Sequence, residues 1–171
     1  FFKAFKMSFS RILRCHPFGS SGYDPISHNE DFLIKKVSAN YIKKFRIIAL
    51  YKSNQRKFAF YKEDSRKTTE HFLLFKNKEV VSGLTLIKDV EFNKYQIRGM
   101  FTLKKFREMG YGSKLLKKVE LDNFNKRKGS LIWCNARIDA GDFYKKNNYK
   151  VVGKKFLIKN IGLHYRMEKK L

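Results

Sequence analysis

The hexapeptide Arg107-Glu108-Met109-Gly110-Tyr111-Gly112 is the part of this 171-residue chain best suited by residue type and spacing to hold a ligand. It follows a strand-like run, Tyr95–Leu103, and precedes a helix-like one, Ser113–Arg127, whose apolar face is Leu115, Leu116 and Val119. Glycines at 110 and 112 let the backbone turn tightly and come close to a ligand, and the first N–H groups of the helix present the positive end of its dipole. A pyrophosphate suits such a site. Many strand-to-helix turns also use Gly-x-Gly and bind nothing, so the spacing alone leaves both readings open.

Around this segment the chain alternates helix-like and strand-like stretches from Phe32 onward, which predicts a mixed α/β domain with a central, largely antiparallel sheet. Leu33–Leu50 reads as a helix, with Ile34, Val37, Tyr41, Phe45 and Ile48 at spacings of three and four. His71–Phe75 and Glu79–Ile87 read as strands joined by a turn at Asn77-Lys78. Lys126, Arg127, Lys128 and Gly129 close the helix after the glycine loop with cations and then a left-handed cap position. Ser130–Asn135 reads as a buried strand and Asp139–Lys146 as a short helix ended by Asn147-Asn148.

The run from Tyr95 to Leu116 closely resembles the coenzyme A-binding segment of GNAT acetyltransferases. The family's pattern of Arg or Gln, two residues, Gly, one residue, then Gly or Ala is met at Arg107, Gly110 and Gly112. The resemblance implies that Met100, Phe101 and Thr102 lend their backbone to the pantetheine arm, and that Arg107 to Ser113, including Glu108, Met109 and Tyr111, wrap the pyrophosphate. Asn135 to Tyr149 resembles the family's next motif, matched at Ala140, Tyr144 and Lys146, with Asn148 where Gly is usual and Tyr149 where Phe is usual. Phe156–Leu171 is similar to the final strands of a subgroup in which Gly-Pro-His precedes Met-x-Lys; Leu163 replaces the proline. The likeness spans about residues 32–171 and implies a GNAT acyl-CoA N-acyltransferase fold that moves acetyl from acetyl-CoA, as co-substrate and without a metal, to a primary amine.

That chemistry needs a neutral amine, donors for the thioester oxygen, and a proton for the departing thiolate. The family comparison places Tyr144 near the sulfur as general acid, with Phe143 beside it at the cofactor; without the motif, Tyr144 reads as half of a core Phe-Tyr pair. No motif fixes a base, so Glu91, His71 and His164 are candidates, and deprotonation through water is the alternative. Arg137 reads either as a contact to cofactor or substrate or as a surface ion pair.

Residues Phe1–Arg14 interleave aromatic and basic side chains, and Phe2, Phe5, Phe9 and Ile12 would stripe one face of a helix. Such a helix fits an anionic membrane or its own domain equally well. Phe9 to Ile26, with Arg-Cys-x-Pro and Gly-Tyr-Asp-Pro elements, is similar to the C-terminal end of YidD-type membrane protein insertion efficiency factors. The resemblance implies a remnant over residues 1–31, peripheral contact with the bacterial inner membrane through residues 1–27, and an insertion factor with a passenger acetyltransferase as the alternative function. The chain opens on Phe1 rather than Met, so an upstream continuation is expected.

A formal charge of +24 points to an anionic partner, but an abundance of Lys on a solvated surface is the favoured account of it, and no motif reads a specific nucleic acid. Cys15 and Cys134 have no partner at metal or disulfide spacing, which fits a reducing, cytoplasmic compartment. No apolar run approaches the length of a membrane span.

Overall fold

Ser38 divides the first predicted helix into a strand and a shorter helix. The computed structural model, which describes residues 32–124 and 129–171, has strand β1 over Phe32–Val37 and helix α1 over Ala39–Leu50. Between them Ser38 is extended, and its Oγ accepts the Tyr41 N–H at 3.3 Å, an N-cap. The spacing of Ile34 and Val37 that reads as helical has another cause, because an odd separation along a strand sends two side chains to opposite faces. Ile34 packs into the core on one side of the sheet and Val37 into the core on the other. Within α1 the inward residues are Ile42, Phe45, Arg46 and Ala49, while Tyr41 and Ile48 of the predicted stripe are exposed.

Strands β2 (Thr69–Lys76) and β3 (Glu79–Asp89) form the expected hairpin. Asn77 and Lys78 both take left-handed backbone, φ 49° and 66°, as a two-residue turn with hairpin twist requires. Strand β4 (Lys94–Thr102) follows antiparallel to β3, then helix α2 (Tyr111–Phe124), strand β5 (Leu131–Arg137), helix α3 (Gly141–Lys146) and the hairpin of β6 (Lys150–Ile158) and β7 (Gly162–Lys170). Among the described residues the seven strands make one sheet in the order β1-β2-β3-β4-β5-β7-β6, antiparallel throughout except for β4 with β5. Helix α2 starts two residues before the predicted Ser113, and its predicted closing cations lie outside the described residues, as does the segment 1–31.

The helices cover opposite faces. Leu115, Leu116 and Val119 of α2 pack on Leu74, Leu84, Leu86, Ile97 and Ile132, while Ile42 of α1 packs on Leu73, Val80 and Phe101. Each fully buried leucine contributes on the order of 2 kcal/mol of transfer free energy, so the sheet is clamped between two cores.

Two irregularities of the sheet create a place for chemistry. Between the pairs Thr85↔Arg98 and Gly83↔Phe101, Gly99 and Met100 of β4 face Leu84 alone, a bulge in which Gly99 takes φ 58°. The β4–β5 ladder is three pairs long, from Lys94↔Leu131 to Gln96↔Trp133. Beyond it β4 continues alongside β3 and β5 alongside β7, so the two parallel strands part and leave a cleft toward their C-terminal ends.

Candidate functional site

At the mouth of this cleft the chain leaves β4, makes one 3-10 turn over Lys104–Phe106, and enters α2 through two left-handed residues, Glu108 (φ 65°) and Gly110 (φ 79°). The two glycines serve different needs. Gly110 is required for its conformation, and nothing lies within 4 Å of where a Cβ would stand, so the space before it is open. Gly112 is required for its size: a Cβ there would meet Phe143 Cε2 and Thr102 Oγ1 at 3.1 Å and Met100 Cε at 3.4 Å. The helix start is thereby seated on the end of β4 and on α3. The Gly110 carbonyl accepts the Lys114 N–H at 3.0 Å, which leaves the amides of Tyr111, Gly112 and Ser113 for a ligand.

The side chains around these amides hold the loop. Arg107 Nε donates to the Thr102 carbonyl at 3.3 Å. Tyr111 is buried, its hydroxyl taking a hydrogen bond from Lys76 Nζ at 2.6 Å, so it offers the site only its backbone. Asn147, unnoticed in the sequence except as a helix ending, joins α3 to α2 by donating to Ser113 Oγ at 2.9 Å and to the Phe143 carbonyl at 2.8 Å. Met100, Thr102 and Phe143 thus pack against the helix start that Arg107, Glu108, Met109, Gly110, Tyr111, Gly112 and Ser113 lead into, while the Phe101 ring lies in the α1-side core. An open cradle, free amides and unladdered strands fit a pyrophosphate with a long arm.

Tyr144 projects from α3 into the α2-side core, edge-on to Phe143 and Tyr149 with ring centroids 5.1 and 5.4 Å away. Its hydroxyl hydrogen-bonds to Cys134, the first β5 residue past the ladder. Burial, and then that thiol, hold the Tyr144 phenol well above its ordinary pKa of 10.0, so it stays protonated and able to donate. Burial likewise pushes the Cys134 thiol up to about 12, which removes it as a nucleophile.

The base candidates are scattered. Glu91 is in the exposed turn between β3 and β4, separated from Thr102 by the nine-residue length of β4, about 30 Å at 3.3 Å per residue. The structure does not bring it to the cleft, because a strand carries its two ends apart. His71 has both nitrogens engaged: Nε2 donates to the Asp64 carbonyl at 3.3 Å, and Nδ1 accepts from the Thr85 hydroxyl at 2.9 Å. His164 stands opposite Arg137 in the β5–β7 ladder, donates Nδ1–H to the Gly162 carbonyl at 2.8 Å and stacks on Phe156. Arg137 Nη2 donates to the Leu50 carbonyl at 2.7 Å, linking the end of β5 to the end of α1 rather than forming a surface ion pair.

Burial lowers the pKa of both histidines below 6.5, opposed by the carbonyl each one meets. A base that binds protons more weakly when folded leaves the unfolded chain with more protons below that value, so stability rises with pH across this range. The thermal midpoint is expected to climb between about pH 5 and about pH 7 and to climb less in His71→Gln; a midpoint flat with pH in the parent contradicts this.

On the α1 face lies a polar cluster that the sequence did not disclose. Arg46 is fully buried and forks onto Asp64 at 2.7 and 3.3 Å, with further bonds to the Ala59 carbonyl at 2.9 Å and Thr85 Oγ1 at 2.8 Å. Its guanidinium and that of Arg98, itself paired to Glu63 at 2.8 Å, flank the Tyr61 ring at 4.0 and 4.1 Å from the centroid. A cavity of about 440 Å³ opens beside them, lined by Ser38, Asn40, Lys43, Phe60, Tyr61 and Asp64 among others. The signal was present but faint, a charged residue at the spacing of an apolar stripe, four after Ile42. Among the described residues there is no group of three or more His, Cys, Asp or Glu placed to hold a metal, and no helix is long and apolar enough to cross a membrane.

The acetyltransferase (GNAT) domain family matches residues 35–171. The N-acetyltransferase YitI of Bacillus subtilis (strain 168), itself uncharacterised, is 32% identical over 116 residues, covering 65% of this chain and 77% of that protein. An acyl-CoA N-acyltransferase from Pseudomonas aeruginosa superposes with a TM-score of 0.62 at 14% identity, over 81% of this chain and 98% of that one. Escherichia coli ElaA gives 0.60 at 13% identity over 81% and 99%. At such identities the two crystal structures share the fold alone.

Proposed function

The chain belongs to the GNAT acetyltransferase family and is an acyltransferase, and from that premise we propose that it moves an acetyl group from acetyl-CoA to a primary amine by direct attack on the thioester. The observation that carries this reading is the early end of the β4–β5 ladder beside the free amides of α2. A strand whose backbone has lost its neighbour can pair with an extended arm, and a helix N-terminus can hold the phosphates at the arm's end.

Acetyl-CoA supplies an activated acyl group. The N–H groups of β4 around Phe101 polarise the carbonyl as it gains negative charge. Tyr144 keeps its proton under burial and passes it to the departing sulfur as the carbon–sulfur bond breaks; because a free thiol, with a pKa of about 8.5, holds its proton less tightly than a phenol, the transfer is completed by reprotonation of Tyr144 from solvent. Glu91 is too far away to take part, and His71 is a structural hydrogen-bond partner. The cytoplasmic setting rests on the cysteine pattern, and the membrane contact through residues 1–27 on the resemblance of the first residues alone.

Calorimetric titration with acetyl-CoA tests the reading. The parent binds; Gly110→Val, which forces a β-branched residue to φ 79°, and Gly112→Val, which drives a side chain into Phe143 and Thr102, each weaken binding by at least about tenfold while the far-ultraviolet spectrum is kept. A folded parent that does not bind acetyl-CoA would overturn it.

A further inference from the structure

The cleft has a tyrosine on each side. Tyr144 stands on the α2 side, where the cofactor is read to enter, and Tyr61 on the α1 side, from which an acceptor must come. A Cβ on Gly99 would lie 3.0 Å from Tyr61 Oη and 3.1 Å from its Cε2, so this hydroxyl is stationed over the β4 bulge and glycine leaves the room for it. The ring is fixed by Arg46 and Arg98, which are in turn fixed by Asp64 and Glu63. Most of the polar network on this face therefore holds one side chain in place. Tyr61 Oη is 2.9 Å from Tyr51 Oη, and the Tyr51 ring lies 5.7 Å from the half-exposed Arg137 guanidinium at the rim of the cleft.

We propose that the Tyr61 and Tyr51 hydroxyls are the proton exit for the acceptor amine, Tyr61 facing the transfer point at the β4 bulge and Tyr51 passing the proton outward. This rests on the acetyl-transfer reading. A hydroxyl donates one hydrogen and accepts two, so in the arrangement where Tyr61 donates to Tyr51 it still has room to accept from an incoming N–H. The other titratable groups near it are engaged: Glu63 by Arg98, Asp64 by Arg46, and His71 by Asp64 and Thr85. Burial holds the Tyr61 phenol above its ordinary pKa, so it acts as a relay and not as a phenolate. Tyr61 is also one of the groups that raise Tyr144, which puts the two hydroxyls within electrostatic reach of each other.

In the step, the amine nitrogen bonds to the acetyl carbon as the carbon–sulfur bond breaks. The proton that made the ammonium goes to Tyr61 Oη as Tyr61 gives its own to Tyr51 and Tyr51 gives one to solvent, and the second is shed to water by the adduct nitrogen, which its positive charge makes acidic. Two leave in all, counting the one that made the ammonium. One returns from solvent to Tyr144 after it has protonated the sulfur.

The test uses two small nucleophiles, ethylamine, which is cationic at neutral pH like a lysine side chain, and hydroxylamine, which is not. Thiol release from acetyl-CoA is followed with the uncatalysed rate subtracted. In Tyr61→Phe, which keeps the stacked ring, the ethylamine rate falls at least about tenfold while the hydroxylamine rate stays within about twofold and acetyl-CoA affinity is unchanged. Tyr51→Phe, which keeps Tyr61, shows the same selective loss. Equal loss with both nucleophiles, or loss with neither, overturns the relay. A parent that binds acetyl-CoA but releases no thiol with either nucleophile overturns acetyl transfer itself, and the relay with it.

Discussion

Replacing Tyr144 with phenylalanine is expected to lower the turnover of acetyl transfer about a hundredfold while leaving acetyl-CoA affinity within about twofold. The hydroxyl is the only group removed. The ring keeps its edge contacts with Phe143 and Tyr149, so packing in α3 is undisturbed. Loss of the bond to Cys134 costs about 1 kcal/mol of stability, because a buried thiol is a weak partner whose own desolvation is small. A general acid acts only as the carbon–sulfur bond breaks, so its loss appears in turnover and not in binding. Parallel measurement of turnover, affinity and thermal midpoint separates the cases. Turnover within a few-fold of the parent removes Tyr144 from the role of acid.

Arg46→Met is expected to destabilise the protein by about 3 to 5 kcal/mol, the cost of leaving one partner of a buried ion pair behind. Methionine fills much of the volume of the stem, so the loss is electrostatic. Asp64, with its side chain 13% exposed, is left with its charge uncompensated, and the Ala59 carbonyl and Thr85 hydroxyl lose their donors. A change of that size lowers the midpoint of a chain of this length by roughly 10 °C. Arg46→Lys restores the charge but not the two-pronged geometry, so it falls between the two. If Arg46→Met unfolds at the parent's midpoint, Asp64 has found water, and the cluster does not anchor Tyr61 as described. The same variant is expected to lose the ordered Tyr61 ring, because one of its two flanking guanidiniums is gone.

Much of the architecture was legible in order along the chain. The β2–β3 hairpin was predictable because Asn77-Lys78 sits between two apolar runs, and the position of α2 because Leu115, Leu116 and Val119 repeat at helical spacing. The first element reads as a helix in sequence because Ile34 and Val37, which belong to two different cores, are separated by three, a spacing that fits a helix face as well as it fits two faces of a strand. Only Ser38, a good N-cap, marked the boundary.

What the sequence by itself determined is the glycine loop and helix start proposed to hold the cofactor. Gly110 and Gly112 answer to local demands, a positive φ and a missing Cβ, that a residue type either meets or does not, and the helix behind them brings its dipole wherever it folds. The α1 side of the cleft was decided by tertiary structure alone. Arg46, Tyr51, Tyr61, Thr85 and Arg98 come from a helix, its following loop and two strands, and no spacing links them until α1 lies on the sheet. The same folding carried Glu91 to the far end of β4 and placed Cys134 against Tyr144. Side chains distant in sequence meet only when the layers pack, so their pairing is a property of the sheet order and the bulge at Gly99, not of any motif.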